Sequence, residues 1–249
     1  FFGNKDIEAT TLPMKSVREA MRLRNKILRN LELALTEEDP ARKQALMNIV
    51  VVGGGASGVE IAGAVAEMKK NIIARDYPDL DSSQMHIYLV NAADRLLSAM
   101  DPVSSKRAER DLKELHVHIR QPQFATEYKD GILKTSAGLE IPTQTVIWVS
   151  GICANTVEGF PAESIGHAGR FLTDRFCRVK GVKDVYAIGD VSLVEGDEEY
   201  PLGHPQLAQV AMQQAKTVAK NFKAMSKGKE LKPFKYKNLG VMATIGRNH

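Results

Sequence analysis

Cysteine is scarce: Cys153 and Cys177 are the only two in 249 residues. They form no C-x-x-C pair, zinc cluster or disulfide framework, which suits a reducing compartment. No run approaches the roughly 18 apolar residues of a spanning helix, and nothing has the layout of a signal peptide. The chain as given is expected to be soluble. Aromatics make up 6% and the formal net charge is +4, with no stacking or basic motif, so nucleic acid is not an expected partner. No internal repeat or low-complexity segment is visible. A composition of 43% hydrophobic and 26% charged residues is ordinary for a globular chain long enough for two domains. The chain opens "FFGNKD" without Met and stops at "TIGRNH" inside an apolar-polar pattern, so both ends are expected to be cuts in a longer protein.

What is present is concentrated in "NIVVVGGGASGVEIAGAVAEMKK", Asn48 to Lys70. Ile49 to Val52 has the form of a buried parallel strand, a glycine turn follows at once, and a helix follows the turn. Gly53, Gly55 and Gly58, with Gly54 between them, match G-x-G-x-x-G. Gly53 allows the tight turn, Gly55 lets backbone approach a pyrophosphate, and Gly58 permits close packing of helix on strand. The helix N-terminus then meets the anion with free N–H groups. Ile61, Ala62, Val65, Ala66, Met68, Ile72 and Ile73 form the apolar surface, and a second strand, "MHIYLV", ends at Val90. The competing reading is a tight packing turn in another kind of α/β protein.

Around this unit, Ser16 and Glu19 have capping-box spacing, and Val17, Met21, Leu28, Leu31 and Leu35 make an apolar stripe. Asp39-Pro40 and Asp101-Pro102 read as cap and first position of helices, the second running to about Leu115. Beyond it the period changes. "HVHIR", "QFATEYKDGILKTSAGLEIP" and "TVIWVSG" read as short strands, with Asp130-Gly131 a hairpin turn, Ala137-Gly138 a looser one, and Trp148 in the core. A three-stranded meander therefore stands between one dinucleotide-fold strand and the next. Downstream, Val185 to Ile188 reads as a strand ending in Gly189-Asp190, where an acid can accept hydrogen bonds from sugar or ribityl hydroxyls. A helix follows with a stripe of Leu207, Val210, Ala211, Val218 and Phe222. Its Gln209, Gln213 and Gln214 need partners.

Taken together, "VVVGGGASGVEIAGAVAEM", "TVIWVSGI", "VYAIGDVS", "AQVAMQQAKTVAKNF" and "PFKYKNLGVMATIGR", with the lead-in "TTLPMKSVREAMRLRNKIL", resemble the two-dinucleotide-binding-domain flavoproteins, and most closely the type II, non-proton-pumping NADH:quinone dehydrogenases. The resemblance implies an α/β fold: a Rossmann-like NAD(P)-binding domain with an inserted β-meander, plus part of a second, FAD-binding Rossmann-like domain. It implies residues 1–46 as part of the FAD domain and connecting helices, 47–152 as the NADH domain, 153–235 as the later FAD domain, and 236–249 as the start of a membrane-associated region. The family's N-terminal glycine motif for FAD is absent from this sequence.

Residue by residue, the resemblance implies NADH contacts at Gly53, Gly54, Gly55 and Gly58, with Glu60 close to nicotinamide and flavin and Gly151 where the returning strand passes the nicotinamide. It implies FAD contacts at Gly189 and Asp190, with Ala208, Gln209 and Val210 beside the isoalloxazine, and quinone contact at Gln213. Glu60 could instead favour the helix N-terminus electrostatically, and Gln213 could be a packed or solvated helix residue. One departure stands out. Asn91 ends the second strand, where an acid usually binds the adenosine ribose; with Arg95 nearby, this weakens the preference for NADH over NADPH without reversing it.

The expected activity is hydride transfer from NADH to FAD followed by two-electron reduction of a quinone. The alternatives are a soluble FAD- and NAD(P)H-dependent disulfide or peroxide reductase, or a nucleotide-binding fragment inactive alone. The lysines from Lys216 to Lys237, accompanied by the single acid Glu230, would be drawn to an anionic membrane, though a solvated helix face explains them equally. The expected location is the cytoplasmic side of the cell membrane, held peripherally through the missing C-terminal region; a homodimer stays open.

Overall fold

The computed structural model describes residues 5–155 and 157–247. They fall into two compact units: one ends at Gly151 and takes in the chain again from Val241, and the other is Ile152–Gly240.

The first unit begins with α1 (Lys5–Thr10), β1 (Leu12–Pro13), α2 (Val17–Thr36) and α3 (Pro40–Met47). A full capping box starts α2: the Glu19 N–H donates to Ser16 Oγ at 3.3 Å, and the Glu19 carboxylate accepts from the Ser16 N–H at 2.8 Å. Asp39 caps α3 by accepting from the Ala41 N–H at 2.8 Å. The buried face of α2 shares only Leu31 with the stripe expected from its sequence. Leu23, Ile27, Leu31 and Ala34 turn inward, whereas Val17, Met21 and Leu35 are exposed. The chosen face buries Asn30, whose amide donates to Thr145 Oγ1 at 2.9 Å, so the polar position on it is satisfied.

The chain continues through β2 (Ile49–Val52), α4 (Ala56–Met68), a π-helical turn at Lys69–Ile73, α5 (Ala74–Asp76), β3 (Ile87–Val90), α6 (Pro102–Glu114) and β4 (Val117–Arg120). Asp101 caps α6 through the Val103 N–H at 2.9 Å. Next come β5 (Ala125–Lys129), β6 (Ile132–Thr135), β7 (Glu140–Pro142) and β8 (Thr145–Trp148). The sheet is five-stranded and parallel, in the order β1-β8-β2-β3-β4, and β5-β6-β7 form a separate antiparallel meander. Asp130 and Gly131, with φ of 51° and 75°, make the left-handed turn between β5 and β6. Ile49, Val51, Leu89 and Ile147 pack in one core with residues of α2, α4 and α6, while Val50, Val52, Val146 and Trp148 pack with meander residues Ala125, Leu133 and Ile141. Burial on both faces explains why β2 is apolar at every position.

The second unit contains the parallel pair β9 (Phe171–Thr173) and β10 (Ser192–Val194), and α7 (Ala208–Met225). Its largest core gathers Cys177, Val194, Val210, Val218, Phe234 and Tyr236. The strand expected over Val185 to Ile188 is reduced to a bridge from Tyr186 to Arg178. Left-handed backbone at Asp184 (φ 59°) and Gly189 (φ 74°) brackets the segment and leaves little extended chain for a ladder. Phe222 also departs from the expected stripe: it is 48% exposed and stands edge-on to Tyr186, while Gln214 and Asn221 share the buried face with Val210 and Val218. No helix among the described residues is long and apolar enough to cross a membrane.

Candidate functional site

Close approach builds the turn between β2 and α4. Gly53 has a φ of 121°, donates its N–H to the Val90 carbonyl at 2.9 Å, and would place a Cβ 2.9 Å from the backbone of Val149 and Ser150. At Gly58 a Cβ would overlap the Gly53 carbonyl oxygen. Gly55 is different. It is the N-cap of α4, makes no side-chain cap, and has nothing within 4 Å of where a Cβ would stand. Two glycines are thus demanded by packing, and the third opens onto space in front of uncapped N–H groups. That arrangement fits the diphosphate of a dinucleotide, because the helix start presents both donors and partial positive charge.

Gly54 packs against Asn91, where a Cβ would collide with the carboxamide. Asn91 is buried; its Oδ1 accepts from the Gly54 N–H at 3.2 Å, and its Nδ2 donates to the carbonyls of Ala93 (3.0 Å) and Arg95 (3.1 Å). These bonds pin the glycine turn, so the amide expected at a ribose is committed inward. Arg95 holds its own loop, donating to Met100 O at 2.9 Å, Ser105 Oγ at 2.7 Å and Ser98 O at 2.7 Å. Its fork is therefore occupied and does not stand free for a 2′-phosphate. Gly151, beyond β8, is exposed with a φ of 81°.

Glu60 is half-buried on α4, and its carboxylate accepts from the Thr244 N–H at 3.3 Å. Two turns on, Glu67 accepts from the Arg247 N–H at 2.8 Å. Gly63 lies between them, where a Cβ would come within 2.9 Å of Gly246 N. One face of α4 thereby receives the returning segment 244–247, and Ile245 enters the core at 5% exposure. Nothing in the sequence reading anticipated this; the only local signal is the Glu-x-x-Gly-x-x-x-Glu spacing. Beside it lies a cavity of about 510 Å³ lined by Met14, Ser57, Glu60, Glu67, Asn71 and Arg247, among others. Asn71 comes from the π-helical turn, a feature frequent at functional sites.

In the second unit, Gly189 adopts a left-handed φ of 74°, and its N–H donates to Gln214 Oε1 at 2.6 Å. A Cβ there would stand 3.2 Å from that of Ala211, so the turn lies tightly on α7. The Asp190 carbonyl accepts from Gln206 Nε2 at 2.9 Å, and the residue is exposed, leaving its carboxylate accessible to hydroxyls. α7 starts without a side-chain cap, and Ala208 at its first position is exposed. These features fit a polyol chain at Asp190 and an uncapped helix start beside it. Val210 does not fit a ring contact through its side chain, which is 3% exposed and packs into the core. Gln209 and Gln213 are half-buried, and their amides bond to backbone between Lys237 and Gly240.

Both cysteines are free. Cys177 is fully buried, and burial, with a smaller push from the Asp174 charge, raises its thiol to about 12. Cys153 is exposed. A buried, protonated thiol is a poor nucleophile, so neither the pairing nor the chemistry of a dithiol centre is supplied by these two residues.

Residues 9–215 match the pyridine nucleotide-disulphide oxidoreductase family. Among curated relatives, the type II NADH:quinone oxidoreductase NdhA of Mycobacterium tuberculosis is 31% identical over 100% of this chain, and Ndh of the same organism is 33% identical over 99%. The chain covers 54% of each, and so spans about half the length of the curated relatives it matches. NDH2 of Plasmodium falciparum, solved in complex with NADH, shares the fold with a TM-score of 0.87 at 17% identity, over 99% of this chain and 65% of that one. The glycine turn on a parallel sheet, the meander before β8 and the later Gly-Asp turn occur within one continuous match covering most of the sequence, and the chain belongs to the pyridine nucleotide-disulphide oxidoreductase family.

Proposed function

We propose that the protein is an NADH:quinone oxidoreductase of the type II kind, in which the first unit binds NADH and the second contributes to an FAD site. The observation that carries this reading is the open, uncapped start of α4 at Gly55. The relatives named type II NADH:quinone oxidoreductase support it.

When bound, FAD supplies the chemistry of hydride acceptance and two-electron release. The residues of this chain bind and orient. The N–H groups following Gly55 hold the NADH diphosphate, Glu60 lies near the nicotinamide, Asp190 accepts ribityl hydroxyls, and Gln213 lies against the quinone. In the net reaction one NADH, one proton and one quinone give NAD⁺ and a quinol. The proposal also puts the protein at the cytoplasmic face of the membrane. All eight lysines from Lys216 to Lys237 are exposed, and such a cluster is attracted to anionic headgroups.

The test is steady-state oxidation of NADH by the purified, FAD-loaded protein with quinone, thiol-disulfide or peroxide acceptors. Quinone-dependent turnover is expected. Turnover with a disulfide or peroxide and none with quinones would transfer the protein to the soluble reductases.

A further inference from the structure

In the second unit, residues 232–240 lie along α7 with no helix or strand of their own. Their backbone groups are met by carboxamides of the helix. Asn221 Nδ2 donates to the Lys232 carbonyl and Asn221 Oδ1 accepts from the Lys232 N–H, both at 2.9 Å. Gln213 repeats the pattern with Lys237, again at 2.9 Å in both directions. Gln209 donates to Gly240 O at 2.8 Å and accepts from the Leu239 N–H at 2.9 Å. The helix positions descend as the strap positions ascend, so the two segments run antiparallel. One-turn and two-turn spacings put the three amides on one helix face.

A carboxamide is suited to this work because it carries both a donor and an acceptor, as a peptide group does. Between the rungs, Phe234 and Tyr236 turn inward at 1% and 5% exposure, while Lys232, Lys235, Lys237 and Leu239 face solvent. The strap is therefore a one-sided strand whose rungs on α7 are side chains, and between the first two rungs its Phe234 N–H donates to the Arg175 carbonyl while Arg175 Nη2 donates back to the Phe234 carbonyl at 3.3 Å. Both hydrogen bonds of the Gln213 amide go to Lys237, so the pose of that side chain follows the position of the strap. Asn221 fixes the strap at its other end. A helical rise of 1.5 Å per residue puts Asn221 about 12 Å along the axis from Gln213, too far to touch a ring held there.

We propose that Asn221 is a positioning residue for the quinone site, acting through the strap 232–240. The inference rests on the reading that places quinone at Gln213.

The test uses the purified FAD-loaded protein with Asn221→Leu, which removes both bonds, and Asn221→Asp, which keeps the acceptor for the Lys232 N–H. The KM for a short-tailed quinone is expected to rise about 3- to 10-fold in Asn221→Leu, the equivalent of about one hydrogen bond, and less in Asn221→Asp. NADH:ferricyanide turnover, which needs no quinone site, and the KM for NADH should stay unchanged. Hydrogen exchange should quicken at Lys237 and Leu239 as well as at Lys232. Exchange changes confined to Lys232, an unchanged quinone KM, or a parallel fall of ferricyanide and quinone rates would overturn the proposal. If wild-type protein reduces no quinone, the functional reading fails on its own, and spread of exchange to Lys237 still decides whether Asn221 controls the strap. Should Asn221→Leu lose its flavin, Asn221→Asp is read in its place.

Discussion

The α-carbon of Gly58 faces the carbonyl oxygen of Gly53 with no room between them for a methyl group, whereas that of Gly55 faces open space. Two substitutions that look alike on paper should therefore behave differently. Gly58→Ala forces helix and turn apart and is expected to cost about 1–3 kcal/mol, the usual range for overpacking a closed contact. Gly55→Val meets no protein atom, and its backbone is extended, with φ −74° and ψ −176°, so the fold should survive. Its side chain would occupy the space a diphosphate needs, and NADH affinity should fall at least about tenfold, or 1.4 kcal/mol. Thermal unfolding and titration calorimetry read the two effects separately; full affinity in Gly55→Val would remove the diphosphate from this turn.

Glu67 and the returning segment supply a second prediction. Its carboxylate accepts the Arg247 N–H at 2.8 Å, and the Gly246 Cα is so near that a Cβ would stand 2.7 Å from Glu67 Oε1. Glu67→Ala should release residues 244–247 from α4 at a cost of about 1–2 kcal/mol. Faster hydrogen exchange at Arg247 and earlier tryptic cleavage there are the expected readouts. Gly246→Ala should do the same by collision and by strain, because φ at this position is 60°.

How far this fold could be read in advance follows from how local its causes are. The β2 turn and α4 are specified within Ile49 to Met68, so glycine spacing and an apolar run sufficed. The Asp-Pro helix starts at Asp39 and Asp101 are equally local. The buried face of α2 is not local: Asn30 bonds to Thr145, 115 residues away, and apolar spacing through Val17 and Met21 carried no information about that partner. The same holds for the site. Gly53, Gly55 and Gly58 announce themselves, but Glu60 and Glu67 meet Thr244 and Arg247 across 184 and 180 residues. Asn221 and Gln213 bond to an extended strap 11 and 24 residues further on, whose Phe-Lys-Tyr-Lys alternation marks one inward face but not the helix that receives it. Asn91 shows the reverse case, a residue visible at the strand end whose amide is directed inward by carbonyls of the loop that follows it.

The cysteines give a third test. With the Cys177 thiol raised to about 12 by burial, almost none of it is thiolate near pH 8, and it is closed to solvent. A maleimide or iodoacetamide should label Cys153 in the native protein and reach Cys177 only after unfolding. NADH oxidation should survive labelling of Cys153. Rapid native labelling of Cys177, or loss of turnover on modifying Cys153, would return a dithiol mechanism to consideration.

Histidines set the response to mild acid. His118 Nε2, on β4, and His86 Nδ1, in the residue just before β3, stand 3.3 Å apart. Burial lowers both from the ordinary imidazole value; Lys69 adds to this at His86, and His86, Arg120, Lys69 and His116 add to it at His118. His204 is also lowered, first by burial, with the Asp197 carboxylate pulling the other way and Arg170 and Arg175 reinforcing the fall. In each case the unfolded chain takes up its proton at higher pH than the folded one does. Stability is then greatest above the unfolded value near 6.5 and declines as pH falls from there toward the folded values. Between about pH 6.5 and 5 the carboxylates of Asp101 and of Asp81, which caps the short 3₁₀ turn Ser82–Gln84, are both lowered by hydrogen bonds from serine side chains; they remain ionised and contribute no slope. Urea unfolding at pH 7.5, 6.5 and 5.5 should show falling stability, and the combined His86→Asn, His118→Gln variant should lose part of that slope while keeping the sheet. A protein that gains stability on acidification through this window would show that these imidazoles are charged in the fold.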